Sequence, residues 1–301
     1  MLFSVVIPTF NRRHLLPQTL QSLAAQTCQD YETIIVDDGS TDDTSKYLAG
    51  LGDSVRVISQ ENRGAGAARN AGAASARGDY IAFLDSDDVW FPWTLATFAT
   101  VIADSRPAIV AGRHVDVADE RGLTAIVEEP VRSRVFDDYL SSSSQPISAG
   151  SSTIAVDRAT FQRAGGFSER PMNAEDHDLM LRLGEARGFV ALFAPVTVAW
   201  RHHGSNLTTN VARTVDGVNY LIQQERRDRY PGGHRRAPAR RRIITRHARP
   251  VTFHCLREGH VRSALRLFRA TIAWNVSDGH FAYLGAFPLL TMSSAARRML
   301  R

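Results

Sequence analysis

The sequence predicts an α/β protein, a mostly parallel central sheet with flanking helices, followed by a basic helical region. Short apolar runs rich in β-branched residues alternate with helical patterns through the first hundred residues. Three polar clusters each stand directly after one of those runs. Charge is also divided: residues 1–220 hold 19 Lys+Arg against 27 Asp+Glu, and residues 221–301 hold 17 against 4. The two parts face different electrostatic tasks, so a boundary is expected between residues 205 and 225. We place the α/β domain at 1–210 and an Arg-rich helical extension at 211–301.

The elements follow in order. Residues 3–7 form a strand ended by Pro8, and Leu15, Leu16, Leu20, Leu23 and Ala24 then share one helical face. Residues 33–36 are a second strand, with Asp37-Asp38-Gly39-Ser40 as its turn. Thr41 is positioned to cap a helix from about Asp42 that carries Tyr47 and Leu48. Residues 55–59 are a third strand, and residues 62–76 a Gly/Ala-rich turn and small-residue helix, punctuated by Gly78. Residues 80–84 form a fourth strand that runs into Asp85-Ser86-Asp87-Asp88. Parallel sheets bind ligands beyond the carboxyl ends of their strands. Pro8-Thr9-Phe10-Asn11, Asp37 to Ser40 and Asp85 to Asp88 are therefore expected on one rim.

Further along, residues 109–117 and 153–156 read as strands around a Ser-rich loop at 141–152. Asp157 starts a helix that ends at Gly165-Gly166; residues 173–183 begin polar and become helical; residues 190–200 are strand-like around Pro195. In the extension, a helical pattern over 215–229 is broken by Tyr230-Pro231-Gly232-Gly233. Residues 235–249 are a basic tract, densest at Arg240-Arg241-Arg242. Residues 259–276 are an amphipathic helix, with Val261, Ala264, Leu265, Leu267, Phe268 and Ile272 apolar and Arg262, Arg266 and Arg269 opposite.

With 44% hydrophobic and 22% charged residues, the chain is neither disordered, collagen-like nor a disulfide-stapled miniprotein. No run approaches the ~18 apolar residues that span a bilayer. Residues 281–292 come nearest and contain Pro288. The amino terminus has no basic flank and meets Pro8 at once, so no signal peptide is expected. Cys28 and Cys255 match neither a disulfide framework nor a metal spacing. The expected setting is cytoplasmic.

Asp85, Asp87 and Asp88 repel one another at the end of a buried strand unless a cation or donors sit among them. Mg²⁺ or Mn²⁺ is one answer, since such ions take one or two carboxylates plus substrate phosphates. A solvated acidic turn capping a helix is the other. Asp38 is either a turn residue or an acceptor for a base imide. The segment Asn62-Arg63-Gly64 to Ala68-Arg69-Asn70 lets backbone approach a ligand and supplies two arginines, or else packs a small helix closely on the sheet. It matches neither a dinucleotide fingerprint nor a P-loop, and the chain holds one lysine, Lys46. Glu175-Asp176-His177-Asp178 offers a general base or a dipole-stabilised first turn. His202-His203 offers an imidazole ligand or a surface pair.

The order of these motifs is more specific than any one of them. Val5-Val6-Ile7-Pro8-Thr9-Phe10-Asn11-Arg12, Ile35-Val36-Asp37-Asp38-Gly39-Ser40-Thr41-Asp42, Asn62-Arg63-Gly64 with Ala68-Arg69-Asn70, and the run from Gly78 to Asp88 closely resemble family 2 glycosyltransferases. Gly165-Gly166-Phe167, Glu175-Asp176 and Arg201-His202-His203-Gly204-Ser205 continue the order, over roughly residues 3–208. The resemblance implies a GT-A fold, a nucleotide-diphosphate sugar donor, a divalent cation (Mn²⁺ or Mg²⁺) and inversion at the anomeric carbon. It implies that Pro8, Thr9 and Asn11 line the nucleotide pocket, Asp38 meets the base, Arg69 sits near base or phosphates, and Asp85 faces the ribose. It further implies that Asp87 holds the metal, that His203 completes its coordination or contacts phosphate, and that Asp176 is the catalytic base. Glu175 and His177 then belong to the acceptor side or support the base; His177 stands where the family usually has an aromatic residue. The choice of His203 over His202 rests on spacing.

Ten arginines between Arg226 and Arg249, against Asp228 alone, mark a surface for an anionic membrane or a helical cap whose charges are solvated or paired. Nucleic acid is disfavoured because aromatic residues do not interleave the tract. The expected function is an inverting transferase that moves a sugar from a nucleotide sugar, a UDP-sugar favoured, to a polysaccharide, lipid-linked or other glycan acceptor. An inactive nucleotide-sugar-binding scaffold of the same fold is the alternative.

Overall fold

The computed structural model describes residues 1–52, 54–117, 120–202 and 210–299. The chain forms two units: Met1–Tyr139 with Ile147–Arg170 and Glu175–Gly204, and Leu140–Pro146 with Pro171–Ala174 and Ser205–Arg301.

The first unit opens with β1 (Phe3–Thr9), α1 (Leu16–Ala24), β2 (Tyr31–Asp37), α2 (Thr44–Ala49), β3 (Val55–Ser59), α3 (Ala65–Ala74) and β4 (Tyr80–Phe83). It continues with β5 (Val89–Trp90), α4 (Thr94–Ser105), β6 (Ile109–Val117), α5 (Glu120–Thr124), β7 (Arg132–Phe136), β8 (Ile154–Asp157), α6 (Arg158–Arg163), α7 (Glu175–Arg182) and β9 (Phe189–Arg201). The sheet order is β3-β2-β1-β4-β8-β6-β9-β5, with β7 paired to β9. β1 to β4, β6 and β9 run one way; β5, β7 and β8 run the other.

All seven residues of β1 are buried, as both of its faces are covered. Phe3, Val5 and Ile7 pack with Leu16 and Leu23 of α1 and with Leu95 and Phe98 of α4. On the opposite face, a Cβ on Gly72 of α3 would stand 2.4 Å from Val6 Cγ1, so glycine allows that helix to lie directly on the strand.

One boundary departs from the expected one. α2 starts at Thr44 behind Asp43, and Thr41 does not cap it. The N–H groups of Thr41 and Asp42 instead donate to Asn11 Oδ1, at 2.7 and 3.3 Å. The turn after β2 is thereby fastened to β1 before the helix begins.

The second unit contains α8 (Val211–Arg226), α9 (Gly233–Arg257), α10 (Val261–Ser277) and α11 (Phe281–Met299). The basic tract lies inside α9, whose buried stripe of Ala237, Arg240, Ile244, Ala248, Val251 and Cys255 repeats at helical spacing. Arg240 is completely buried: its Nε donates to Glu225 at 2.5 Å, and Nη1 donates to the carbonyls of Pro231 and Gly233 at 2.7 and 2.9 Å. Arg241 also binds Glu225, at 3.1 Å, and Arg242 binds Asp278, at 3.1 Å. Arg240 is therefore an internal fastening, while Arg241 and Arg242, each about 40% exposed, are ion-paired at the surface. Ile272 is likewise exposed and not on the core face of α10, which consists of Ala264, Leu267, Thr271 and Asn275. Thr271 and Asn275 tolerate burial because each side chain donates to a carbonyl four residues back in its own helix. Among the described residues no helix is long and apolar enough to cross a membrane.

Candidate active site

β1, β2 and β4 are parallel neighbours, so the residues at their carboxyl ends share one rim. Pro8 and Thr9 end β1, paired with Val36 and Asp37. Thr9 is buried and its Oγ1 has no hydrogen-bond partner, an orphaned polar atom on this rim. Asn11 adopts φ 53°, a left-handed conformation that asparagine tolerates, and so turns its amide onto the 40–42 turn. Asp38 is buried: Oδ1 accepts from Gln60 Nε2 at 2.7 Å and from the Arg63 N–H at 2.9 Å, and Oδ2 accepts from the Gly64 N–H at 2.8 Å. Its carboxylate thus fixes the loop that leads into α3.

Arg69, on α3, is buried, with Nη2 2.6 Å from Asp85 Oδ1 and Nη1 2.9 Å from Glu175 Oε1. Burial alone would lower its pKa, but the two carboxylates more than offset this and raise it. Burial pushes the pKa of Glu175 up; Arg69 pulls it back and Asp176 adds to the rise. Arg69 also lies over the Phe167 ring, 5.1 Å from its centroid. The guanidinium therefore ties the end of β4 to the first turn of α7.

The three acidic side chains after β4 have different neighbours. Asp85 binds Arg69, and its N–H donates to Ser152 Oγ at 3.0 Å. Asp88 accepts from the Ser152 hydroxyl at 2.5 Å. Asp87 Oδ2 lies 3.7 Å from Arg12 Nε. Burial raises the pKa of Asp85 despite Arg69, with Asp87 and Asp176 adding repulsion. Burial, then repulsion by Asp85 and Asp87, raises Asp88 well above the usual carboxylate range. Among the described residues no three His, Cys, Asp or Glu side chains form a metal cage. A site this rich in mutually repelling carboxylates still fits a hard divalent ion that takes one protein carboxylate, with phosphate oxygens and water completing the shell.

Glu175 and Asp176 open α7. Asp176 Oδ1 accepts from the His177 N–H at 2.7 Å and lies 2.8 Å from His177 Nδ1. Asp176 Oδ2 is on the side of Gly150, 3.6 Å from where a Cβ would stand there. His202 Nε2 lies 2.8 Å from the exposed carboxylate of Asp116. His203 falls outside the described residues.

Three positioning residues carry no expected role from sequence. Asn70 accepts from the Phe167 N–H at 2.8 Å and donates to the Phe167 carbonyl at 2.9 Å, which moors the Gly165-Gly166-Phe167 loop to α3. Ser152 joins Asp85 to Asp88. Arg201 donates to the Asp87 carbonyl and to Thr19 Oγ1, the latter at 2.9 Å, so the end of β9 holds the acidic turn from behind. Asn70 and Arg201 lie inside the quoted motifs, and that was their only signal. Ser152 stood in a Ser-rich loop with nothing to single it out.

Residues 4–155 match the sequence model described as Glycosyl transferase family 2, just over half of the chain, and the chain belongs to that family. An uncharacterized glycosyltransferase of Nostoc sp. is 40% identical over 128 residues, which cover 41% of this chain and 39% of that protein. One of Haemophilus influenzae is 28% identical over 225 residues, 73% of this chain and 76% of that protein. The match thus reaches little more than a third of the Nostoc relative's length. Among solved structures, S. aureus TarS in complex with UDP-GlcNAc has a TM-score of 0.69 at 18% identity, covering 100% of this chain and 93% of that one. The mannosyltransferase PcManGT from Pyrobaculum calidifontis, in complex with GDP-Man and Mn²⁺, gives 0.54 at 19%, covering 99% and 86%. The fold is that of the GT-A glycosyltransferases.

Proposed function

We propose that this chain is an inverting, metal-dependent glycosyltransferase. It moves a sugar from a nucleotide-diphosphate sugar, a UDP-sugar favoured, to a hydroxyl of a polysaccharide, lipid-linked or other glycan acceptor. The observation that carries the reading is the Arg69 bridge, because it fastens the rim that receives the donor to the helix that carries a candidate base. The bound nucleotide sugars of TarS and PcManGT support the donor class, and the Mn²⁺ of PcManGT supports a divalent ion.

Pro8, Thr9, Asn11 and Asp38 form the nucleotide wall, with the unpartnered Thr9 hydroxyl offered to the ligand. Asp85 faces the ribose. Arg69 acts by holding Asp85 and Glu175 in place. Asp87 and His203 hold the ion, which when bound neutralises charge on the departing diphosphate. Asp176 takes the proton from the acceptor hydroxyl as that oxygen bonds to the anomeric carbon and the diphosphate leaves with the electron pair of its bond. A single displacement inverts the centre and needs one base. His177 and Glu175 hold Asp176 and its helix turn. In the extension, exposed Phe281, Leu289 and Leu290 accompany the excess of arginine and support peripheral docking at the anionic cytoplasmic face of a membrane.

The test is a thermal-shift panel of UDP, GDP and dTDP, each with and without Mn²⁺. A ligand at a hundredfold excess over its dissociation constant stabilises the folded state by ~2.7 kcal/mol. A metal-dependent shift with one nucleotide is expected; no shift with any of them overturns the reading. Asp176→Asn should then lower turnover and leave that shift in place.

A further inference from the structure

His114 on β6 and Trp200 on β9 lie ring on ring, with centroids 3.5 Å apart and planes 18° from parallel. Their strands are parallel neighbours, and Trp200 pairs with Asp116, two residues from His114, so the two rings lie on one side of the sheet. Both are half-buried. Burial lowers the pKa of His114, which keeps the imidazole neutral near pH 7.

Gly150 brings this stack to the base. A Cβ there would stand 2.9 Å from Trp200 Cζ2, 3.5 Å from Cη2 and 3.6 Å from Asp176 Oδ2. The six-membered edge of the indole and the carboxylate oxygen thus both lie within 3.6 Å of that one point, and a side chain there would press on the indole while only touching the carboxylate. Asp176 Oδ1 is turned to His177, so the oxygen nearer the aromatic stack is Oδ2.

Two neutral rings beside a proton-accepting carboxylate suit one kind of alcohol. A pyranose has a flat face of C–H bonds that gains dispersion and apolar burial on an aromatic surface, and a rim of hydroxyls at its edge. Linear alditols lack that face. We propose that the His114–Trp200 stack is an acceptor subsite that takes a pyranose ring and directs one of its hydroxyls to Asp176 Oδ2. This rests on the reading of Asp176 as the base.

Saturation-transfer NMR tests it on the full chain with Mn²⁺ and, separately, without nucleotide or with the nucleotide that stabilises the chain. Methyl β-D-glucopyranoside, methyl α-D-mannopyranoside and ribitol serve as probes. Ring C–H protons of at least one pyranoside should be saturated, and those of ribitol should not. His114→Ala should weaken pyranoside binding about three- to tenfold, the range of a lost aromatic contact, and His114→Phe should restore it. Gly150→Val should weaken it as well, by moving the indole. The nucleotide-induced thermal shift should be unchanged in these variants, which also verifies their folding. Ribitol binding as well as the pyranosides, no pyranoside binding at all, or indifference to both His114→Ala and Gly150→Val overturns the proposal. Failure of every nucleotide to stabilise the wild type counts against the donor reading instead, and the nucleotide-free arm still reports on the stack.

Discussion

Arg69 Nη1 and Glu175 Oε1 are 2.9 Å apart, and the same guanidinium meets Asp85 at 2.6 Å on its other side. One buried cation therefore serves two carboxylates from segments about a hundred residues apart in sequence. Arg69→Met should leave both uncompensated and cost about 3–5 kcal/mol of stability, as removal of one partner of a buried ion pair does. Urea unfolding of the two proteins measures it. A cost below about 1 kcal/mol would show that water solvates the pair. Arg69→Lys should recover only part of the loss, because an ammonium lacks the planar fork that reaches both acids.

Asp87 Oδ2 lies 3.7 Å from Arg12 Nε, and its charge repels Asp85 and Asp88. Asp87→Asn removes that repulsion and should leave the chain folded, with a cooperative unfolding transition. It should abolish the Mn²⁺ dependence of nucleotide stabilisation and of turnover. A variant that still responds to Mn²⁺ would take the metal away from Asp87.

Gly166 adopts φ 70°, and a Cβ there would stand 2.4 Å from Asn70 Oδ1. Gly166→Ala should destabilise by about 1–3 kcal/mol through backbone strain and the collision. In an Asn70→Ala background the collision disappears and the strain stays, so the same substitution should cost less. A double-mutant cycle gives the difference directly. Equal costs in both backgrounds would assign the whole effect to the backbone.

Tyr80 donates its hydroxyl to the Pro107 carbonyl at 2.7 Å, and burial followed by repulsion from Asp157 pushes its pKa up to about 12. Below pH ~10 the phenol is neutral in both folded and unfolded chains and contributes no pH slope. From there to the folded value the unfolded tyrosine ionises first, so the unfolded state binds fewer protons and stability falls as pH rises. Tyr80→Phe should lack this component of the alkaline slope. Parallel stability curves for the two proteins between pH 10 and 12 would refute it.

The first unit was largely legible because its strands are short β-branched runs and its polar turns sit where parallel strands end. Asp38 and Asp87 could be placed on the rim from that pattern alone. What Asp38 grips could not be read, because its partners Gln60, Arg63 and Gly64 lie more than twenty residues away and two of them use backbone N–H groups. Thr41 failed as a cap for a related reason: Asn11, thirty residues earlier, takes its N–H. In the second unit the arginines of α9 masked a helical stripe, since Arg240 occupies a core position that no hydropathy pattern assigns to a charged residue. Gly150 gave no signal either. Its meaning lies in the missing atoms between Trp200 and Asp176, which only the folded chain brings together.

Asn11 and Asp38 moor the loops that border the rim by hydrogen bonds to their backbone N–H groups, at 2.7 to 2.9 Å for the shortest. On the reading proposed above, an incoming base meets walls that are already set, and little chain entropy is lost when it arrives. Discrimination among nucleotides then rests on the few side chains that point inward from this fixed mould. A change of donor would be made by exchanging those side chains, with the loops keeping their shape.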